Sequence, residues 1–423
     1  MRFIKPLLIA VSAVGLSFPL VSMIDRKSGA PTDYEIELGR IRKDISEIKA
    51  GAKDGALSAP IDIEKATRYV HRVYQRAILS GNPADLQAAE SAIDRAIGEI
   101  GPLADLYLLK ANLDFRLHRL EKADRDVKAL SRFAGNAQIV ALKAGIAFQQ
   151  GEYQEAKKGY QSAIEKNPSW DNLARLAYWE AKFGDPEIAD GIYGQAENEI
   201  SAKEMRSYAW VELERGLLEF NRGRYEKAMA HYRQADKAYS GYWLVEEHIA
   251  ELLAAERKFD EAAALYKKVV ARAPRPEFQQ ALGDLFLFMG KEDLAKPWHE
   301  QALAAYLESA GRGEVQYYHH LAGFYADVRQ DGAEAVKWAR KDIELRQNFL
   351  TQDALAWALY RNGQFPAALD AMEKSLSSGV KDSHLFFHAA MIHLAAGRTG
   401  EGKRFLQTVA AINPGYENFH VHR

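Results

Sequence analysis

ALKAGIAFQQGEYQEAKKGYQSAIEKNP, residues 141–168, carries the pattern that decides the fold. Ala144 and Phe148 stand four apart, and Gly151, Tyr153, Ala156, Tyr160, Ala163 and Pro168 follow at fixed offsets. Small and apolar residues at spacings of three and four trace one helical face on each side of Gly151. The glycine suits a left-handed cap that ends the first helix, and the proline stops the second. The stretch therefore reads as two helices folded into a hairpin. Ala144 lets the two backbones approach, Ala156 packs back onto the first helix, and Tyr160 fills the gap to whatever comes next.

The same offsets return elsewhere in the chain. They give Gly216, Phe220, Gly223, Tyr225, Ala228, Tyr232 and Ala235, then Ala356, Tyr360, Gly363, Phe365, Ala368 and Met372, then Ala390, Leu394, Gly397, Val409 and Pro414. A small residue at the helix crossing, Gly-x-aromatic at the turn, Ala five after that Gly and Pro after the second helix resemble the tetratricopeptide repeat, whose period is about 34 residues. The resemblance implies an all-α, right-handed superhelical solenoid of about ten helix-turn-helix units over residues 62–416, preceded by one N-terminal hydrophobic helix. Units are placed near 70–103, 104–136, 137–169, 170–203, 209–242, 243–275, 276–309, 315–348, 349–382 and 383–416, and the unit at 315 carries an extra residue around Asp331-Gly332. One hairpin cannot bury its own apolar faces, so stability must come from stacking neighbours. The last two units, with Asp353 to Tyr360 and the closing Asn413-Pro414, also look like bacterial envelope-associated repeat proteins of mostly unassigned role.

Ahead of the repeats, Arg2 and Lys5 precede an uncharged apolar run from Leu7 to Ile24. As helix it would reach about 27 Å, close to the hydrocarbon thickness of a bilayer. Its end, Leu20-Val21-Ser22-Met23, is a poor cleavage site for a signal peptidase. The segment 6–24 is therefore read as a single-pass signal anchor, with residues 1–5 cytoplasmic and the bulk of the chain periplasmic, against the alternative of a cleaved signal and a secreted protein. Residues 25–61 form a polar linker. Within it Tyr34, Leu38, Ile41, Ile45 and Ile48 make a short a/d stripe. That stripe suits either self-association through residues 34–48 or an amphipathic helix lying on the first repeats.

The composition narrows the function. With 56 basic and 58 acidic side chains, net charge is −2 and no basic domain stands out, so nucleic acid is not an expected partner. The chain has no Cys, which removes disulfides and thiolate chemistry. No Gly-rich phosphate loop, nucleophile elbow or His-Glu-x-x-His helix is present. The repeats run nearly to the last residues, leaving 417–423 as a short tail, so no enzyme and no cofactor are expected. Of 12 histidines, His384 and His388 sit at i, i+4 on one helix, a spacing that can hold a metal. His393, His420, His422 and the His319-His320 pair complete the count of interest. The bland alternative, ordinary surface and interhelix histidines, assigns no metal site.

The better site is the groove. The resemblance implies that its concave face is lined by positions 2, 5, 9, 12 and 13 of each first helix. Those positions hold Tyr178, Trp210, Phe220, Glu247, Glu251, Asp284, His319, Trp357, Tyr360, Arg361 and Phe387, with Asp171, Lys182, Asn221 and Asp353 on the same ring. The Lys, Asn and Arg set that clamps a C-terminal carboxylate in this family is not found. Aromatic residues at such positions are usual anchors for a bound peptide or helix. The expected function is a non-catalytic scaffold, tethered to the inner membrane through residues 7–24, that holds a protein or peptide partner in the groove. Envelope assembly, secretion or support of a membrane system would suit it. The alternative is a secreted periplasmic ligand- or metal-binding protein using the C-terminal histidines.

Overall fold

The structure is a computed structural model that describes residues 30–50, 62–130 and 135–421. The apolar run at 7–24, the linker break at 51–61 and His422 lie outside the described residues. Within them the fold is all-α, twenty-one helices and no strand. Helix α1 (Asp33–Ala50) precedes ten hairpins. These are α2–α3 (Ile63–Ser80, Pro83–Ile100), α4–α5 (Ala104–Arg116, Leu120–Ala129), α6–α7 (Ala137–Gln149, Tyr153–Lys166), α8–α9 (Trp170–Phe183, Pro186–Asn198) and α10–α11 (Met205–Phe220, Tyr225–Ala238). They continue as α12–α13 (Trp243–Ala255, Phe259–Arg272), α14–α15 (Pro276–Phe288, Glu292–Gly311), α16–α17 (Tyr318–Gly323, Gly332–Leu345), α18–α19 (Phe349–Arg361, Phe365–Leu376) and α20–α21 (Ser383–Ala395, Thr399–Ile412).

Each hairpin forms for the reasons its residues supply. Gly151, Gly223, Gly363 and Gly397 adopt φ of 84°, 69°, 73° and 78° at the turns, the left-handed region that costs a glycine nothing. His118 and Arg257 hold the same turn position at φ 60° and 64°, a conformation with a steric cost for residues bearing a Cβ. At the helix crossing, a Cβ added to Gly159 would stand 2.6 Å from that of Ala144, so the backbones are as close as the small residues permit. Inside the second helices, Tyr193, Tyr232, Tyr266 and Tyr306 each follow an invariably small partner by four positions and are fully buried. The extra residue expected near Asp331 is absorbed upstream, in a single π-helical turn at Phe324–Val328.

One boundary and one packing face are defined more closely by the structure than by the sequence reading. The first hairpin begins at Ile63, seven residues before the expected unit start at 70, because Asp62 caps α2 by accepting a hydrogen bond from the Lys65 N–H. The stripe on α1 is not a seam for a second copy. Tyr34, Leu38, Ile41 and Ile45 are buried in the same hydrophobic core as α2 and α11, and Asp33 bonds the Ser240 N–H at 2.9 Å. Of the two readings of residues 34–48, self-association or an amphipathic helix lying on the repeats, the structure shows the second, with the apolar face used within the chain.

The hairpins stack with their first helices inward. Successive first helices touch, as α4 with α6, α10 with α12, α16 with α18 and α18 with α20. The resulting curvature brings distant hairpins together. Tyr225 Oη donates to the Gly415 carbonyl across 190 positions, and Arg346 meets His118 across 228. Against a repeat of about 34 residues, such separations correspond to roughly six hairpins per superhelical turn. At each of these contacts the turn of one hairpin seats on the segment that follows the second helix of another. The Gln347 N–H bonds the Gln149 carbonyl at 2.9 Å, and Phe349 N–H bonds Tyr153 Oη at 2.6 Å. A Cβ on Gly151 would lie 2.8 Å from the Gln347 carbonyl, and one on Gly223 would lie 2.7 Å from Asn413 Oδ1. Gly151 and Gly223 therefore serve twice, once for φ and once for this close approach.

Candidate functional site

The inner face is built from the first helices, and its most developed part spans α10, α12 and α14. Glu247 and Glu251 of α12 are both 5% exposed. His248 Nδ1 lies 2.5 Å from Glu247 Oε2. Burial works against a charged imidazole there, but the Glu247 carboxylate outweighs it and lifts His248 to about 9. Burial raises Glu251 to about 7, with Glu247 adding repulsion, and burial likewise raises Glu214 of α10 to about 7. The wall is thus a desolvated acidic patch that favours any group able to bring a hydrogen or a positive charge to it.

A peptide already sits on this wall, and it is the chain's own C-terminal segment. Asn413 ends α21, and residues 413–421 leave the last hairpin as irregular backbone. Tyr225 Oη holds the Gly415 carbonyl at 3.0 Å. Phe419 is 2% exposed with its ring 5.5 Å from that of Phe288, and it joins the core formed by α10 to α14. The His420 ring stands 5.1 Å from Phe220, and the Val421 N–H donates to Glu251 Oε1 at 2.8 Å. Tyr416 reaches back to α20, 5.1 Å from the Phe387 ring and 3.2 Å from His384 Nδ1.

Three of the groove residues expected from the sequence, Phe220, Glu251 and Phe387, meet this segment. Glu247 stands beside it in the acidic patch. The others are occupied differently. Trp357 stacks on Tyr360 at 4.8 Å and on His388 at 4.0 Å, and its indole N–H donates to Asp327 Oδ1 at 2.9 Å. Arg361 donates to the Ala326 carbonyl at 2.9 Å. Asp284 is paired with His299 at 2.8 Å, and His319 with Asp342 at 3.2 Å. Trp210 packs on Trp170, and Tyr178 on Phe148. Trp357, Arg361, Trp210 and Tyr178 thereby join neighbouring hairpins, because the inner positions of adjacent units crowd each other, whereas Asp284 and His319 pair within their own hairpins.

Sequence reasoning missed two features. One is the tail, whose Phe-His-Val ending alternates large side chains as a groove-bound strand would. The other is the contact of Asp353 with His388, whose Nδ1 lies 3.0 Å from both carboxylate oxygens. Its signal was available: the two positions differ by one repeat plus one residue, the offset at which successive first helices touch. Among the described residues no helix is long and apolar enough to cross a membrane.

Comparison with known proteins agrees with the hairpins. Family models described as tetratricopeptide repeat match residues 354–417 and 140–169. Among solved structures, the APC/C hetero-tetramer Cut9-Hcn1 overlaps at TM-score 0.42 and 15% identity, covering 90% of this chain and 80% of that one. A human IFIT1 dimer with PPP-AAAA overlaps at 0.45 and 12%, covering 89% and 88%. No curated protein matches the sequence. Residues 140–169 and 354–417 are thus matched by tetratricopeptide-repeat models, and the ten stacked hairpins among the described residues repeat the same pattern.

Proposed function

We propose that the chain is a non-catalytic scaffold that binds a protein or peptide segment on the inner face of its superhelix, at the wall made by α10, α12 and α14. The tetratricopeptide fold is generally a protein-interaction scaffold, and this reading adds the place. The observation that carries it is the seating of residues 413–421, where a buried phenylalanine and a backbone N–H on a glutamate make up a peptide-binding mode. A partner segment that replaces the tail would present a bulky aromatic residue to the Phe288 side and a hydrogen donor or cation to Glu247 and Glu251. The apolar run at 7–24 supports tethering to a membrane with the repeats in the periplasm, in envelope assembly, secretion or support of a membrane system.

Photo-crosslinking in cells tests the reading. A crosslinker at Phe288, on the α14 side of the wall, should capture a partner that one at exposed Glu155, on a second helix, does not. Capture from the outer position alone would place binding on the convex face and end the proposal. N-terminal sequencing of the mature protein tests the anchor: an intact Met1 is expected, and a start beyond Ile24 would show cleavage.

A further inference from the structure

Away from the tail-covered wall, one buried cluster has the makings of a metal site. Asp353 on α18 and His384 and His388 on α20 each bring one donor atom within 4.8 Å of the other two. Asp353 is 5% exposed and His388 3%, while His384 is half-buried. The stacking of the ninth hairpin on the tenth delivers the carboxylate to the imidazole, and one helical turn on α20 sets the two histidine rings 4.1 Å apart. Trp357 lies flat on the His388 ring, at 8° between planes, and fixes its orientation. His388 Nε2 is buried and has no hydrogen-bond partner. Its Nδ1 faces both oxygens of Asp353 at 3.0 Å, so carboxylate and imidazole share one hydrogen that an ion bound between them would displace.

We infer that Asp353, His384 and His388 form a binding site for a divalent transition ion of the zinc class. Two imidazoles and one carboxylate are the three-ligand set that zinc accepts in sites with an open position, completed by water. Calcium and magnesium are disfavoured, since they take oxygen donors in larger number. Donors around tetrahedral zinc stand roughly 3.3–3.5 Å apart, as bonds of about 2.0–2.1 Å require. The observed triangle therefore closes by a movement of little more than an ångström, which half-buried His384 makes by exchanging its contact with Tyr416 for the ion. The site is independent of what the inner wall binds. It also adjoins Tyr416, so an ion here would sit where the tail leaves the last hairpin.

The test uses the full chain, freed of metal with a chelator. Zinc titrated into it by calorimetry should bind at one ion per chain. His384→Ala and Asp353→Asn should each weaken that binding at least about tenfold, with helical content unchanged by circular dichroism. His319→Ala, a histidine in another hairpin, should leave it unaltered. Cobalt provides a measurement on the unmutated ligands: it should quench Trp357, seen as a difference between wild type and Trp357→Phe. No stoichiometric zinc binding in the wild type would overturn the inference. So would binding that survives both ligand variants, or cobalt quenching that does not depend on Trp357.

Discussion

Closure of one superhelical turn on the next rests in part on a single ion pair, and its removal gives the most direct test of the architecture. Lys182 Nζ lies 2.7 Å from Asp382 Oδ2 across 200 positions, and both side chains are 19% exposed. Asp382 also caps α20, accepting from the backbone N–H groups of His384 at 3.0 Å and Leu385 at 3.3 Å. Its two roles can be separated. Asn caps a helix about as well as Asp, so Asp382→Asn removes the charge and keeps the cap, whereas Asp382→Ala adds about 1 kcal/mol for the cap. Exposed pairs contribute about 0.2–1 kcal/mol, and breaking a fully buried one costs about 3–5. A pair this enclosed should fall between, at about 2 kcal/mol for Lys182→Met or Asp382→Asn alone. In a double-mutant cycle the coupling should be about 1–2 kcal/mol.

The pH dependence has a defined sign. Burial works against the Asp382 carboxylate, but Lys182 outweighs it and holds the group well below its usual range. Folding therefore gains from this group above the unfolded carboxylate value of about 3.9 and loses that gain as pH falls below it. Lys182 is raised above its ordinary value, chiefly through Asp382 working against burial. Its contribution is complete below about pH 10 and fades as the solution becomes more alkaline. Urea unfolding of the four cycle members at pH 7 reads the coupling, in the transition that reports α18 to α21. Additive costs, within about 0.3 kcal/mol, would mean that the fourth and tenth hairpins do not touch in solution. The stacked-turn account would then be wrong.

Other perturbations address the wall, the stacked aromatics and the acid limb. Phe419→Ala should leave helical content intact while making residues 413–421 sensitive to limited proteolysis. A labelled peptide of those residues should then bind the variant more tightly than the wild type in fluorescence polarisation. Trp357→Ala, which removes stacking on both Tyr360 and His388, should lower stability by about 2–4 kcal/mol, read by thermal unfolding; an unchanged melting temperature would return Trp357 to the role of an open groove residue. Burial, with Arg346 adding repulsion, depresses His118 to about 3. Since its unfolded value is near 6.5, stability should fall as pH drops from about 6.5 toward 3. His118→Gln should flatten that slope, and an unchanged acid limb would place the loss in other groups.

The hairpins were legible because their determinants are local. Gly151 to Tyr153, or Ala228 to Tyr232, act within one helix pair, and the sequence pattern records them directly. The inner face was legible only as a set of positions. Whether position 9 of a helix opens to solvent, as for a partner, or meets another unit depends on the superhelical pitch. Pitch is the sum of small rotations at every hairpin interface, and no single residue encodes it. Trp357 and Arg361 meet the preceding hairpin through Asp327 and Ala326, contacts that their positions in the repeat do not record. Asp353 and His388 lie on the same ring, and their pairing follows once the stack is known to bring adjacent first helices into contact.

The tail makes the scaffold's affinity a difference between two bound states. Phe419 is nearly as buried as the tyrosines inside the second helices, and fully burying an aromatic side chain is worth about 1.5–3 kcal/mol. The Glu251 hydrogen bond to the Val421 N–H adds to this, as a bond to a carboxylate contributes about 1.5–3 kcal/mol. Against these stands the entropy of ordering the exposed residues between Asn413 and Phe419, at about 1–2 kcal/mol each for the backbone. The two sides are of similar size, so the docked and released tails differ by only a few kcal/mol. A partner using the same wall must supply that difference, and its apparent Kd rises by the factor by which the tail occludes the site. Raising the pH through about 7 ionises Glu251. The carboxylate accepts a hydrogen bond more strongly than the acid, but beside Glu247 it also adds negative charge to the wall. The docked tail, with Glu417 as the one acidic side chain in residues 413–421, gains only the first of these effects, whereas a cationic partner gains both. Competition between partner and tail should therefore shift toward a cationic partner as pH rises through 7, and Glu251→Gln should reduce that shift, with Glu214 left to supply the remainder.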